Sequence, residues 1–234
     1  MVTPLHQPSA GRHPRAGAEL TLADPERALI VTYAPAHLRP GLSALFALDE
    51  RLGMIVARTT EPTIGLIRLA WWREALQRLD HAAPPAEPLL ASLATNVLPR
   101  GPSGEALAAI EDGWAALLDA EDVVVRHGHE RGGNLFLAAG HLLGTDDDRI
   151  EPAGEAWALA DLAHRHSDAA IRTEARRRAA EIAGQIRPGS WPRAARPLGA
   201  LAALARWDAA SDGLRRQGSP ARLARMLVRR LTGR

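Results

Sequence analysis

The sequence of 234 residues contains no cysteine and no lysine, and only 4% of it is aromatic. Without cysteine the protein has no disulfide scaffold, no thiolate zinc site and no cysteine nucleophile. All 29 basic residues are therefore arginines, and against 27 acidic residues they leave a formal net charge of only +2. A charge this small gives no reason to expect a nucleic-acid partner.

Long apolar runs are also missing. No apolar stretch reaches the ~18 residues needed to cross a bilayer. The first residues contain arginine and histidine but no continuous apolar segment of the kind found in signal peptides. We interpret residues 1–22 as a disordered leader and residues 23–234 as one folded domain, and we expect a cytoplasmic protein.

Helical periodicity dominates the remainder, and no alternating β-branched pattern suggests a sheet. The fold class predicted is all-α, a single-domain helical bundle. The predicted helices cover about 25–33, 42–57, 62–79, 88–97, 105–127, 130–143, 152–185 (with a kink near 164–168), 197–208 and 220–231. The apolar arc of the helix at 62–79 is wide, which predicts that other helices enclose it almost completely.

A resemblance to a known family rests on residues 46–79. The segment Glu61–Arg73 reads EPTIGLIRLAWWR, and it follows a helix that begins its motif with Phe46-Ala47. Both segments resemble the squalene/phytoene synthase family. The match is nearest to the non-catalytic branch that includes the phytoene-synthase-like assembly factor of mitochondrial complex I. This resemblance implies a bundle of the isoprenoid synthase type.

The catalytic members of that family place two aspartate-rich clusters on facing helices, where Mg²⁺ bridges them to a prenyl diphosphate. Aligned on Phe46-Ala47, the first cluster falls on residues that cannot bind a metal, namely Arg51, Leu52 and Ile55. Asp49 and Glu50 lie one turn early and diverge on the helix. In the second motif Asp161 falls at an asparagine position, and Arg165 falls where the metal-binding aspartate belongs. We therefore predict no catalytic residue and no metal ligand.

The resemblance implies an accessory or assembly factor for a respiratory complex. Its partner would be a respiratory-complex subunit or a lipid, it would need no cofactor, and it would lie peripheral to the inner membrane. An alternative is an active prenyltransferase that condenses two prenyl diphosphates with Mg²⁺. A third reading is a membrane-surface adaptor. The residues expected to line a retained cavity or contact a partner are Arg68, Trp71, Trp72, Arg73 and Trp157.

The last segment, 220–234, predicts a basic amphipathic helix. An apolar stripe would dock on the core and leave the arginines exposed toward an anionic membrane surface. The stripe comprises Leu223, Met226, Leu227 and Leu231, and the arginines are Arg222, Arg225, Arg229 and Arg230.

The spacing of the histidines does not predict a metal site. His127 and His129 are two residues apart, a poor helical spacing for a shared ion. We interpret them as structural or solvent-facing side chains.

Overall fold

The computed structural model describes residues 20–119, 121–210 and 216–234. Within these ranges the protein is all-α and contains no strand, as predicted. The helices are α1 (Pro25–Tyr33), α2 (Arg39–Ala57), α3 (Pro62–Arg78), α4 (Pro88–Asn96), α5 (Gly104–Ala115), α6 (Val123–Arg126), a π-helical segment (His127–Gly133), α7 (Asn134–Leu143), α8 (Ile150–Arg165), α9 (Ala169–Gln185), α10 (Arg196–Ala209) and α11 (Pro220–Thr232).

Several helix starts follow directly from local sequence. Asp24 accepts hydrogen bonds from the backbone N–H groups of Glu26 and Arg27, at 2.8 and 3.3 Å, and so caps α1. Prolines begin α1, α3, α4 and α11, where the missing N–H group costs no helical hydrogen bond. The predicted starts of these helices are confirmed.

The prediction of one helix over 152–185 is wrong in its continuity, because the structure has two helices, α8 and α9, separated where the kink near 164–168 was predicted. The chain leaves the helical conformation at His166. Asp168 then accepts hydrogen bonds from the N–H groups of Ala170 and Ile171, at 2.7 and 3.2 Å. This cap starts a new helix, and three residues separate it from the end of the first one.

The prediction of two helices at 105–127 and 130–143 is also wrong in its boundary. The first helix, α5, ends at Ala115. The next begins at Val123 and continues through the π-helical segment into α7, so that α6, the π-helical segment and α7 form one continuous rod. An inserted π segment widens the helix locally and turns the side chains that follow, a feature often found at functional sites.

The core is built around α8, which packs against the π-helical segment, α9 and α10. By contrast α3 lies at the edge, against α5 and α2. Its predicted enclosure is wrong, because Ile64, Ile67 and Trp71 are 48%, 65% and 49% exposed. Periodicity identified an apolar arc, but the neighbouring helices cover only the half that contains Trp72.

Most of the predicted leader, residues 1–19, lies outside the described residues. Among the helices that are described, none combines the length and the apolar content that crossing a membrane requires.

Candidate functional site

The centre of the protein is a buried arginine, Arg131, whose side chain is 1% exposed. Its Nε and Nη2 donate to the two carboxylate oxygens of Asp49 at 2.7 and 2.9 Å, a bidentate pair. Nη2 also donates to Oδ2 of Asp161 at 2.8 Å. Asp49 lies on α2 and Asp161 on α8, so one guanidinium joins the two helices on which the family motifs were predicted.

Two further arginines contact the same carboxylates from the outside of this pair. Arg27 on α1 lies 2.9 Å from Oδ2 of Asp49 and 3.7 Å from Oδ2 of Asp161. Arg165 donates from Nε to Oδ1 of Asp161 at 2.7 Å and reaches Asp24 at 3.2 Å. Three guanidinium groups therefore surround two carboxylates, and we call these five residues the central ion-pair network.

Aromatic rings enclose the network. The guanidinium of Arg131 lies 4.2 Å from the ring centroid of Trp114 and 4.8 Å from that of Trp157, so cation–π attraction adds to the ion pairs. Trp114 also donates from Nε1 to Oδ1 of Asp49 at 2.9 Å. Arg27 packs over the same Trp157 ring at 5.0 Å. The rings help to bury the network, and the lower dielectric of this interior strengthens its electrostatic interactions.

The electrostatics of the network favour its ionised form. Burial by itself would raise the pKa of Asp49, but the positive charges of Arg131 and Arg27 outweigh it and lower the pKa. For Asp161 the same competition, with Arg165 as a further partner, holds the pKa far below its usual range. The carboxylates in turn raise the pKa of Arg131. Both aspartates are therefore charged at neutral pH.

Glycines allow the helices to approach closely enough to form this network. A Cβ on Gly132 would lie 2.2 Å from the backbone oxygen of Gly154, and a Cβ on Gly154 would lie 2.1 Å from that of Gly132. The π-helical segment and α8 thus cross at this glycine pair. On the opposite side a Cβ on Gly113 would lie 2.3 Å from the backbone nitrogen of Arg131. Any residue with a Cβ at these three glycine positions would clash with the facing backbone. Only glycine therefore allows the close contacts that hold Arg131 between α5 and α8.

His127 completes the surroundings of Arg131. Its Nε2 lies 3.0 Å from Nη1 of Arg131, and its Nδ1 lies 2.7 Å from the carbonyl oxygen of Gly113. Arginine can only donate, so Nε2 must accept and the proton must lie on Nδ1, which donates to the carbonyl group. His127 is therefore a neutral structural side chain, as the sequence predicted.

The residues between α2 and α8 do not fit the magnesium site of a prenyl diphosphate enzyme. Mg²⁺ requires free oxygen ligands at 2.0–2.1 Å in an octahedron. Every carboxylate oxygen of Asp49 and Asp161 already contacts a guanidinium group. The positive charges of these arginines would also repel a metal ion. At the aligned positions Arg51 lies 3.8 Å from Glu87, Leu52 is buried and Arg165 is bound to Asp161.

A small pocket of about 30 Å³ lies beside the network, lined by Arg27, Trp157, Asp161, His164 and Arg222 among others. This volume holds one or two water molecules. It is far below the roughly 300–1,000 Å³ typical of a small-molecule site. A prenyl chain does not fit in this pocket.

The predicted cavity residues do not converge on one site. Trp157 is buried in the central network, whereas Arg68 and Trp71 are exposed at the edge on α3. Trp72 is buried and meets Trp71 edge to face, with ring centroids 5.4 Å apart. Arg73 donates to Glu111 at 2.7 Å and also pairs with Asp112. Its positive charge is therefore neutralised by two carboxylates of the same chain.

The structure agrees with the predicted C-terminal helix at Met226, which is buried, and at Arg225 and Arg230, which are exposed. It differs from the prediction at Arg222, Leu227 and Leu231. Arg222 is buried, with ion pairs to Glu26 at 2.5 Å and to Asp208 at 2.5 Å. Arg225 and Arg230 stack on aromatic rings, at 4.4 Å from Trp207 and 4.8 Å from Tyr33, and Arg229 is partly buried. Several apolar side chains also face outward: Leu227, Val228 and Leu231 are 47%, 54% and 67% exposed. Three of these arginines form ion pairs or cation–π contacts with side chains of α1 and α10. Helical periodicity does not predict such contacts between distant helices.

Comparison with known proteins places the chain in a family. A family model described as squalene/phytoene synthase matches residues 20–160, which include the whole of α1 to α7 and most of α8. The chain belongs to the squalene/phytoene synthase family. No curated protein gives a significant match, and no solved structure does. Family membership and the helical structure together confirm the predicted all-α fold of the isoprenoid synthase type.

Sequence reasoning missed three of the five network residues as a site. Asp49 was recognised only as a carboxylate one turn away from the metal-binding positions, and neither Arg27 nor Arg131 was assigned to a site. One local signal was available, because His127 and Arg131 are four residues apart and share a helical face. The glycine-rich run that follows Arg131 marks the close approach of a second helix.

His127 gives the network a specific pH dependence. Burial, together with the charge of Arg131, lowers the pKa of His127 from 6.5 to about 3. Below pH 6.5 His127 takes up a proton in the unfolded chain but not in the folded protein. Its contribution to the free energy of unfolding is therefore fully present above this pH and decreases as the pH falls. The loss from His127 amounts to about 1.4 kcal/mol per pH unit.

We expect this slope to disappear in His127→Gln, which keeps one donor and one acceptor. Urea unfolding between pH 6 and 5 measures it, and the shifted groups that both proteins share cancel in the comparison. His141→Gln, at an exposed position, should keep the parental slope. Equal slopes in His127→Gln and the parent would show that His127 accepts a proton in the folded state.

Proposed function

We propose that this protein is a non-catalytic member of the squalene/phytoene synthase family that acts as an accessory or assembly factor for a respiratory complex. The observation that carries the proposal is the position of Arg131. Its guanidinium group lies between Asp49 and Asp161, 2.7 and 2.8 Å from their oxygens, on the two helices that would carry the metal-binding clusters of an enzyme. The assembly role itself rests on the resemblance of residues 61–73 to the complex I assembly branch.

The chemistry of the family's reaction explains why Arg131 matters. Loss of diphosphate requires Mg²⁺ ions bridged to carboxylates, which stabilise the negative charge of the leaving group. In this chain a fixed monovalent cation occupies the space between the carboxylates. Neither aspartate has an oxygen left to bind a metal, and the adjacent Arg27 and Arg165 would repel one.

The surface that we propose for a protein partner lies on α3. Ile64, Ile67 and Trp71 occupy one exposed stripe, and the exposed Arg68 lies beside them. Partner surfaces are enriched in aromatic residues and arginine, and contiguous exposed apolar side chains are a common sign of them. We call Ile64, Ile67, Arg68 and Trp71 the α3 outer face, and we propose that a subunit or membrane-bound component of the respiratory complex docks there. The protein would then work at the inner membrane as a peripheral, cytoplasmic factor.

Two other functions have specific support. The family match itself favours an active prenyltransferase, which would need Mg²⁺. The exposed Leu227, Val228 and Leu231 of α11 favour contact with a membrane surface. Deleting residues 220–234 would not test the second function cleanly, because it also removes the buried Arg222 and Met226.

Calorimetry with farnesyl or geranylgeranyl diphosphate, with and without Mg²⁺, separates the enzyme from the non-catalytic protein. We expect no magnesium-dependent binding, because the carboxylates are already paired. Micromolar binding that disappears on chelation would overturn the non-catalytic assignment and restore the prenyltransferase.

Affinity capture from native membranes tests the assembly role. We expect subunits of a respiratory complex to be retained by the parent and lost from Trp71→Ala, which removes the aromatic side chain of the α3 outer face. The matched control is Leu227→Ala, which truncates a similarly exposed side chain on α11. Loss with Leu227→Ala and retention with Trp71→Ala would instead support the adaptor acting through α11.

A further inference from the structure

Three potential metal ligands meet on the outer side of the crossing between the π-helical segment and α8. The Nδ1 atom of His129 lies 3.0 Å from Oε1 of Glu155 and 3.8 Å from Oε1 of Glu151. One ligand atom from each side chain lies within 4.8 Å of the other two. All three side chains reach solvent, since none of them is buried.

The backbone brings these ligands together. Glu151 and Glu155 are four residues apart on α8 and therefore share one face of the helix. His129 reaches them because the π-helical segment crosses α8 at the contact between Gly132 and Gly154. The next residue, Gly133, leaves the space beneath the ligands open. A Cβ there would lie 3.4 Å from Cγ of Glu151 and 3.7 Å from both Cγ of Glu155 and Nδ1 of His129.

The charge balance of this cluster favours a cation. Within the part of the chain that the structure describes, the ion-pair partner within 4 Å of either Glu151 or Glu155 is His129 alone. Two carboxylates therefore share one imidazole. The hydrogen bond from His129 to Glu155, with the negative charge of both carboxylates, raises the pKa of His129. Nearby Glu130 adds negative charge, although Arg126 binds it at 3.0 Å.

We infer that His129, Glu151 and Glu155 form a binding site for a divalent transition-metal ion of the zinc class. A tetrahedral zinc ion has bonds of about 2.0–2.2 Å to imidazole nitrogen and carboxylate oxygen, which places neighbouring ligand atoms about 3.4 Å apart. The two distances from Nδ1, 3.0 and 3.8 Å, lie on either side of that value. On binding, the Nδ1 proton leaves to solvent, the nitrogen lone pair takes its place on the metal, and water fills the remaining position.

The ligand set also predicts selectivity. Imidazole nitrogen favours zinc, nickel and copper, whereas Mg²⁺ prefers oxygen ligands and retains its water. The site is separate from Asp49 and Asp161 and does not contribute to the family's chemistry. A bound ion would join the π-helical segment to α8 on the solvent side, two residues from Arg131, which joins the same elements in the core. Metal binding would thereby stiffen the segment that holds the central ion-pair network.

Calorimetry on the chelator-treated full chain tests the site, with Zn²⁺ and Mg²⁺ as separate titrants. We expect one Zn²⁺ per chain at this site, a rise in Tm on binding, and no heat from Mg²⁺. Loss of an outer-shell partner of a metal ligand typically weakens binding about 10–100-fold, so loss of a ligand itself in His129→Gln or Glu155→Gln should weaken it at least about tenfold. His81→Gln, at an exposed histidine away from the cluster, is the matched control and should bind like the parent.

Equal Zn²⁺ affinity in the parent and His129→Gln would overturn the inference, because the ion would then bind elsewhere. Absence of Zn²⁺ binding to the parent would overturn it as well. Thermal melts of the metal-free variants show that they fold, and the exposure of these side chains predicts parental values. None of these measurements uses a diphosphate or a partner protein, so their failure leaves the proposed function untouched.

Discussion

The structure depends on one buried arginine. Moving a guanidinium group out of water is costly, and the cost is recovered only if good geometry and further hydrogen bonds satisfy the charge. Arg131 meets this condition with two hydrogen bonds to Asp49, one to Asp161 and one to His127. Because those partners come from α2, α8 and its own segment, the arginine fixes how the central helices face each other.

The same constraint links the fold to the proposed function. A metal site between α2 and α8 requires two carboxylates that are ionised and free to bind. Asp49 and Asp161 are held ionised by their neighbours, and their oxygens are occupied by Arg131, Arg27 and Arg165. Two aspartates on facing helices are thus bound to arginines in the core and contribute to stability. The proposed contacts with a partner or a membrane rest instead on exposed apolar side chains of the α3 outer face and of α11.

Local signals in the sequence predicted most helices well. Four helix starts were marked by proline, which a helix accepts in its first turn but not in its interior. These residues are Pro25, Pro62, Pro88 and Pro220. The interruption between α8 and α9 was predicted as a kink and not as a full break, because the helical pattern continues on both sides of the capping residue Asp168. The exposure of Trp71 was missed because periodicity shows which residues share a face and not whether another helix covers that face.

The central network could not be predicted from spacing, because its partners are far apart in the chain: Arg131 pairs with Asp49, 82 residues away. Its formation also depends on the backbone contact at Gly132 and Gly154, which brings two helices together regardless of their apolar patterns. The resemblance placed Asp161 at a non-metal position of the second motif, and in the structure both carboxylate oxygens of Asp161 contact guanidinium groups. The resemblance gave no indication that the side chain of Arg131 lies between the two motif helices, α2 and α8, in the folded protein.

The most direct test compares urea unfolding of Arg131→Met and Arg165→Met. Both substitutions remove a guanidinium group that contacts Asp161, but the side chain of Arg131 is 1% exposed and that of Arg165 is 51% exposed. Removing one partner of a buried ion pair leaves an unpaired buried charge and costs about 3–5 kcal/mol, whereas an exposed pair contributes about 0–1 kcal/mol. We therefore expect a loss of about 3–5 kcal/mol in Arg131→Met and less than about 1 kcal/mol in Arg165→Met. Equal stability of Arg131→Met and the parent would contradict the central role of this arginine.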